Sequence, residues 1–463
     1  MSRTDGRQGR DQLEGIPPGE EPGQTQGWTG LPTNLQRVKQ AVERDCQARF
    51  TALLHHLDES SLRRSLGRLK RQAAPGVDGE TVASYERNLD ANLAALTSQV
   101  QGNRFRPQPV LRHRVSKPDG GERLLGIPAL EDKIVQGALV ELLNIIYEEQ
   151  FVDFSYGFRP GRSPHDALGT LSKTIMTEKV NWVLDADIRS FFDSVDHEAL
   201  LRALAQRIAD PRIIRLITLW LRAGVMESGE WYETAEGTPQ GSVISPLLAN
   251  IYLHYALDMW VLKWGRERGT GLVKMVRFAD DFVICLQREE DARALLAELA
   301  ERLEKCHLKL HPDKTRVLEF GRFAAQNRAR RGERRPETFD FLGFRHYCGK
   351  TRDGRFVLKR KTRADRMRRK LKALRQQLRR RMHDTVSSQH QWLCSVLRGH
   401  YNYFGVSHNF RSMYGFYHAV RHMWKAALSR RGQKKRLSWE RYNELLRVFP
   451  LPVPRITRSW QAA

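Results

Sequence analysis

Paired cysteines, long apolar runs and, over its last third, acidic residues are what this 463-residue sequence lacks. Its five cysteines, Cys46, Cys285, Cys306, Cys348 and Cys394, are odd in number and scattered, with no CxxC spacing. That argues against a disulfide framework or a thiolate zinc site and fits a reducing compartment. No stretch approaches ~18 consecutive apolar residues, so no transmembrane helix and no membrane partner are expected. The first residues lack the apolar core of a signal peptide. No segment repeats at a period of ~20–50 residues, which argues against a solenoid. Residues 321–463 carry 36 Lys+Arg but only 8 Asp+Glu, a net of +28, which leaves 42 basic and 45 acidic residues in 1–320.

What is present starts with charge. A net of +25 and a pI near 10.2 point to a polyanionic partner, of which nucleic acid is the commonest. A near-neutral body joined to a cationic third suggests one region for chemistry and another for holding that polyanion. Hydrophobic residues make up 40%, enough for real cores.

Residues 1–30, rich in Gly, Pro, Gln and charge, read as a disordered tail. A helical extension is expected over 31–102, where Phe50, Leu53, Leu54 and Leu57 recur at helical spacing and the segment 74–79 (APGVDG) interrupts as a loop. Strand signals mix with helices over 103–347. Residues 181–188 alternate like a strand, and two β-rich runs, KMVRF and FVICL, flank Ala279-Asp280-Asp281. Ser245-Pro246 reads as an N-cap and first helical residue. Beyond about 356 the pattern is helical. Met367, Leu371, Leu374, Leu378 and Met382 form one stripe among Arg and Lys, and two further amphipathic helices follow, which suggests a bundle over 348–430. A basic tail, 431–463, is expected to close the chain.

Four elements carry chemistry. Adjacent carboxylates at a hairpin tip, Asp280 and Asp281, repel each other and become useful when a divalent cation neutralises them. Mg²⁺ takes hard oxygen ligands of this kind. Asp187 ends the earlier strand, with Asp185 on the same face and Ile188, Phe191 and Phe192 just after it. Metal-dependent phosphoryl chemistry needs carboxylates from separate segments to converge. The loop Gly237-Thr238-Pro239-Gln240-Gly241-Ser242 has glycines that admit a close ligand and a Gln able to donate and accept. Lys117 and Arg123 flank a turn suited to phosphate oxygens. An isolated Asp-Asp or a basic hairpin is more often plain surface, so the weight rests on the ordered set.

That set resembles the reverse transcriptase family, specifically its group II intron-encoded members. The intervening segments 156–163 (YGFRPGRS), 310–315 (LHPDKT) and 341–344 (FLGF) match as well, and the similarity runs from about Leu31 to Ile456. The resemblance implies an α+β right-hand polymerase with an antiparallel palm sheet, followed by an α-helical thumb, or maturase, domain. It implies two Mg²⁺ ions, with Mn²⁺ a workable substitute, held by Asp187, the Ile188 carbonyl, Asp280 and, less directly, Asp281. Phe192 matches the aromatic that excludes a ribose 2′-hydroxyl. Gln240 and Gly241 match the loop against the incoming dNTP, Lys117 and Arg123 the residues on its triphosphate, and Lys314 a lysine near the leaving group. Phe278 stands where the family commonly has Tyr.

The segment 397–404 (LRGHYNYF) resembles the maturase domain, and residues 359–381 hold 13 Lys+Arg against one acid, Asp365. Arg366, Arg368, Arg369, Lys370, Lys372, Arg375, Arg379 and Arg398 are the expected RNA contacts. The implied partners are structured intron RNA, as template and splicing partner, and a DNA primer or target. The implied location is the bacterial cytoplasm. No zinc-binding cysteine pairs follow the thumb, so a compact, endonuclease-free type is expected. Two other roles fit the same motifs: a domesticated reverse transcriptase in DNA repair or phage defence, and an RNA-binding splicing factor with little polymerase activity.

Overall fold

The computed structural model describes residues 32–116, 122–227, 229–233, 236–238, 240–431 and 437–459. The expected tail 1–30 and the side chains of Lys117 and Arg123 lie outside the described residues.

Four helices open the described chain: α1 (Thr33–Arg44), α2 (Glu59–Arg68), α3 (Val82–Tyr85) and α4 (Leu89–Gln101). The helix expected around Phe50–Leu57 does not form. Phe50 bridges Ile208, and only a single 3-10 turn covers Leu54–His56. The cause is Asp210, whose carboxylate accepts the amides of Leu53 at 2.7 Å and Leu54 at 3.1 Å. Those donors are thereby diverted from helical bonds. Leu53, Leu54 and Leu57 are still buried, so the spacing reports burial rather than a helix.

Next come the hairpin β1 (Val110–Ser116) and β2 (Glu122–Ile127), then α5 (Leu130–Tyr147), α6 (Pro164–Thr177), β3 (Trp182–Asp187), α7 (His197–Ala205) and α8 (Pro211–Leu221). Short strands β4 (Val225–Glu227) and β5 (Glu230–Tyr232) follow, β4 pairing parallel with β1. After α9 (Ser245–Leu253), a π turn at His254–Asp258 leads into α10 (Met259–Glu267). α9 starts one residue earlier than its sequence suggests. Ile244 is the N-cap and Ser245 the first helical residue, because the Ile244 carbonyl already accepts the amides of Leu247 and Leu248.

The central sheet combines β3 with β6 (Val273–Phe278), β7 (Asp281–Leu286) and, beyond α11 (Glu289–Glu304), β8 (Arg316–Glu319), in the order β6-β7-β3-β8. All its pairings are antiparallel. The two-residue alternation sends Leu184, Ala186, Phe282 and Ile284 into one core and Val183, Val283 and Cys285 into another. The first core also takes Leu35, Leu62 and Leu93, so the N-terminal helices share it rather than forming a unit apart. The second is covered by α6 and, after α12 (Ala324–Arg330), by the sheet of β9 (Phe339–Phe341), β10 (Phe344–Lys350) and β11 (Phe356–Thr362). Strand β10 runs across the boundary expected at 347.

A third core joins α13 (Ala364–Arg380), α14 (Val386–Phe404) and α15 (Phe410–Ser429). The stretch expected as a tail contributes α16 (Trp439–Val448) to this bundle. Tyr442 is fully buried there and donates to the Arg421 carbonyl at 3.0 Å. No helix among the described residues is long and apolar enough to cross a membrane.

Asp210 ties the N-terminal segment to α8. Its carboxyl is fully buried, and its pKa is held well below the carboxylate range by Arg212 and the backbone amides, against the cost of burial. A depressed folded-state pKa contributes stability that is present above the unfolded value near 3.9 and lost as pH falls. Asp210→Asn should destabilise by about 1–3 kcal/mol at neutral pH and flatten the acid limb of the unfolding curve. Denaturant unfolding across pH 3–7 reads both.

Candidate active site

The register of β3 against β7 places Asp187 opposite Asp281. Asp185, two residues earlier, shares their face of the sheet. Asp280 occupies the tip of the β6–β7 turn, preceded by Ala279 at φ +58°, a left-handed conformation that costs a non-glycine residue roughly 1–2 kcal/mol. The four carboxylates act on one another. Asp281 is pushed up to about 8 by burial first and then by Asp280, Asp185 and Asp187, while the Leu342 amide pulls it down. Asp185 is raised to about 6, again chiefly by burial, with Arg316 opposing. The Arg316 guanidinium donates to Asp185 at 3.3 Å. Like charges gathered at a protein edge favour proton uptake unless a cation joins them.

The Lys314 ammonium already does so in part, donating to Asp187 Oδ2 at 2.6 Å. The expected lysine is therefore in the site, on the aspartate. The Ile188–Leu310 bridge that brings this lysine's loop in is closed by the Asp187 carbonyl and the Arg189 amide. Neither bond uses the Ile188 carbonyl.

A strained tip needs an anchor, and Arg277 supplies it. Its guanidinium, fully buried, pairs in a fork with Asp258, itself fully buried, with Nε–Oδ1 at 2.7 Å. Its Nη1 also donates to the Ala279 carbonyl at 2.9 Å and to Asn250 Oδ1 at 3.1 Å. The Asn250 amide group in turn donates to the Gly157 carbonyl at 2.7 Å. A Cβ on Gly157 would meet the Ala279 nitrogen at 2.3 Å. The 156–163 segment is thus packed directly beneath the tip. Asp258 lies in the π turn, a distortion frequent at functional sites.

Phe192 sits half-buried in a 3-10 turn five residues past Asp187. Its carbonyl accepts the Thr238 amide at 2.7 Å, and Gly237 bonds to Val195 at 2.9 Å. A Cβ on Gly237 would lie 2.8 Å from the Phe192 carbonyl oxygen. Further on, the Gly126 amide of the β1–β2 hairpin donates to the Gln240 carbonyl at 2.6 Å. Gly241, at φ +111°, has space for no Cβ, which would stand 2.6 Å from the Gly126 oxygen. Phe192, Gln240 and Gly241 are therefore joined by one short loop that also touches β2. Arg123 is in β2 by its backbone.

Sequence reasoning missed the anchor Arg277–Asp258–Asn250 and the supporting role of the 341–344 segment. There Leu342, at φ +48°, turns its amide to Asp281, and its carbonyl accepts from the Tyr403 hydroxyl of α14 at 2.9 Å. The available signal was an arginine flanked by apolar residues inside a strand, since a charge at such a position needs a buried partner.

On α13 the expected RNA contacts separate. Arg368, Lys372, Arg375 and Arg379 are exposed and share one face, which flanks the inward stripe of Leu371, Leu374 and Leu378. Arg366 is exposed beside Gly343, Arg369 pairs with Asp365 at 3.0 Å, and Lys370 is half-buried, with its pKa lowered by that burial. Arg398 is exposed on α14.

The donor set suits a hard divalent cation: carboxylates from two strands and a turn that raise one another's proton affinity and that Lys314 and Arg316 neutralise only in part. Among the described residues no three His, Cys, Asp or Glu side chains stand as a ready cage. Mg²⁺ needs none, since one or two carboxylates plus substrate phosphates commonly hold it.

Comparison with known proteins agrees with this geometry. The family model described as "Reverse transcriptase (RNA-dependent DNA polymerase)" matches residues 115–346. Protein YkfC of Escherichia coli K12 is 34% identical over 299 residues, spanning 56% of this chain and 78% of its own. The group II intron-encoded protein LtrA of Lactococcus lactis is 31% identical over 306 residues, spanning 63% of this chain and 50% of its own. A putative COX1/OXI3 intron 2 protein of Saccharomyces cerevisiae is 36% identical over 181 residues, 39% of this chain and 21% of its own. The chain thus spans about half the length of the second of these relatives.

Removing one partner of a buried pair strands the other charge. Arg277→Met should cost about 3–5 kcal/mol, and adding Asp258→Leu should recover much of it. Denaturant unfolding of the single and double variants checks this. Equal losses in both would mean that the pair does not hold the tip.

Proposed function

This chain belongs to the reverse transcriptase family of RNA-directed DNA polymerases, with group II intron-encoded proteins among its relatives, and we propose that it extends a DNA primer on a structured intron RNA and helps that RNA to splice and move. The observation that carries the polymerase reading is the pairing of Asp187 against Asp281 beside the Asp280 tip, with a supporting loop that joins Phe192 to Gln240 and Gly241.

In this reading Asp187 and Asp280, with the Ile188 carbonyl, would hold two Mg²⁺ ions, and Asp281 would support them. When bound, the ions supply Lewis-acid charge to the attacking 3′-hydroxyl and to the leaving oxygen of an in-line displacement. Lys314, held beside Asp187, would offer its ammonium to the departing pyrophosphate. Phe192 lies against the sugar and excludes a 2′-hydroxyl by contact. Gln240 and Gly241 present backbone and amide groups to the nucleotide. Lys117 and Arg123 cover its triphosphate from the fingers. Phe278, in place of the usual Tyr, keeps a ring beside the primer end without the hydroxyl.

RNA binding is assigned to the cationic third. The exposed row Arg368, Lys372, Arg375 and Arg379 offers four cations on one helix face, spaced for successive backbone phosphates. An A-form or structured RNA read by shape and phosphate suits such a row.

Primer extension on an RNA template with Mg²⁺ and dNTPs tests the chemistry. Wild type should extend, and Asp280→Ala should fall to background. Phe192→Ala should admit ribonucleotides roughly tenfold more readily. A wild type that binds RNA tightly but never extends would favour a splicing factor.

The RNA reading has its own test. Changing Arg368, Lys372, Arg375 and Arg379 to Gln should reduce the salt slope of RNA binding by roughly 3. It should also abolish any stimulation of intron splicing at low Mg²⁺. An unchanged slope would take α13 off the RNA.

A further inference from the structure

Helix α15 buries Met413, Phe416, Val420 and Trp424. Its outer face is not the polar surface such a helix ordinarily shows. Phe410 and Tyr414 are 47% and 50% exposed, and one and two turns further on stand His418 and His422. The rings form two contacting groups along one face. Phe410 stacks on Tyr414 at 6.1 Å, Tyr414 meets His418 edge-on at 4.3 Å, and His422 meets Trp439 of α16 at 4.9 Å. Trp439 is itself 41% exposed. At 1.5 Å per residue, the row from 410 to 422 runs about 18 Å along the helix.

Cations share this face. Arg411, Arg421 and Lys425 fall on the same side of the helix as the rings by its 3.6-residue period, and the Lys425 ammonium lies 4.7 Å from the Trp439 ring centre. No Asp or Glu occurs anywhere between Asp384 and Glu440. An exposed aromatic row with three cations beside it, against which Glu440 sets one carboxylate near Lys425, is poorly matched to water. It is also poorly matched to a basic or neutral protein surface. It complements a ligand that carries flat π faces and negative charge together.

We propose that the outer face of α15, with Trp439, is a stacking platform for the unpaired bases of a single-stranded nucleic acid. Ring faces take the bases and Arg411, Arg421 and Lys425 take the phosphates. Stacking of this kind accepts every base, so the platform holds single-stranded stretches without reading their sequence. This goes beyond the α13 assignment, because α13 offers charge alone and suits a folded or duplex backbone. The two helices would thus divide the polyanion between them, paired regions on α13 and unpaired regions on α15. The inference rests on the cationic third binding nucleic acid and is independent of the polymerase chemistry.

The test uses the full chain and short single-stranded RNA and DNA oligonucleotides carrying 2-aminopurine, beside a blunt RNA duplex. Wild type should quench the fluorophore on binding single strands. Phe410→Ala with Tyr414→Ala should weaken that binding about tenfold or more with no change in salt slope, since no charge is removed. Tyr414→Phe should retain it. Arg421→Gln with Lys425→Gln should lower the slope instead. Duplex binding, primer extension and the unfolding midpoint should stay at wild-type values in the aromatic variants. A preference for RNA or for DNA names the source of the strand. Wild-type affinity and quenching in the double alanine variant would overturn the proposal. So would an equal loss on the duplex, or a loss confined to anionic lipid vesicles.

Discussion

Carboxylates gathered at one point repel one another, so the backbone beneath them has to be fixed by something outside the cluster. In this protein that is the Arg277–Asp258 pair. It lies wholly in the interior, where its desolvation is expensive and is offset only because both groups are fully hydrogen-bonded. From it one bond reaches the Ala279 carbonyl at the left-handed tip, and another reaches Asn250. The 156–163 segment follows through Gly157. The hairpin, α9, the π turn and the 156–163 segment are thereby set relative to one another before any ligand arrives. Asp187 and Asp281 then need only the sheet register to meet.

The other parts of the site depend on that frame through backbone rather than side chains. Gly237 and Gly241 let their loop lie against Phe192 on one side and Gly126 on the other. Phe192, Gly237, Thr238, Gln240 and the β1–β2 hairpin are therefore tied together by backbone contacts. On the opposite side, Leu342 passes an amide to Asp281 and a carbonyl to Tyr403 of α14. The helical third is in this way wired to the carboxylates by two consecutive hydrogen bonds.

The charge of that third is organised, not diffuse. Asp365 engages Arg363 and Arg369, and burial takes Lys370 partly out of play. What remains exposed on α13 is the row of Arg368, Lys372, Arg375 and Arg379, with Arg366 and Arg380 off it, and on α15 the cations alternate with rings. Such partition explains why a simple count of Lys and Arg overstates the number of residues free to meet phosphate.

Much of this is legible in the amino-acid sequence alone. The hairpin around Asp280, the strand ending at Asp187, the glycine loop and the basic amphipathic helix follow from local pattern, because alternation, turn residues and charge periodicity act over a few positions. Patterns of the same kind mislead at Phe50–Leu57, where Asp210, some 150 residues away in sequence, captures the amides, and at 437–459, where a short apolar stripe becomes a helix only by docking on Trp424 and its neighbours. Local pattern suffices to say which residues are chemically able to act. It does not say that Asp281 faces Asp187, that Lys314 rests on an aspartate or that Arg277 is an anchor; the packed fold settles those. Each depends on contacts between residues far apart in the chain, and periodicity over a few positions carries no information about them.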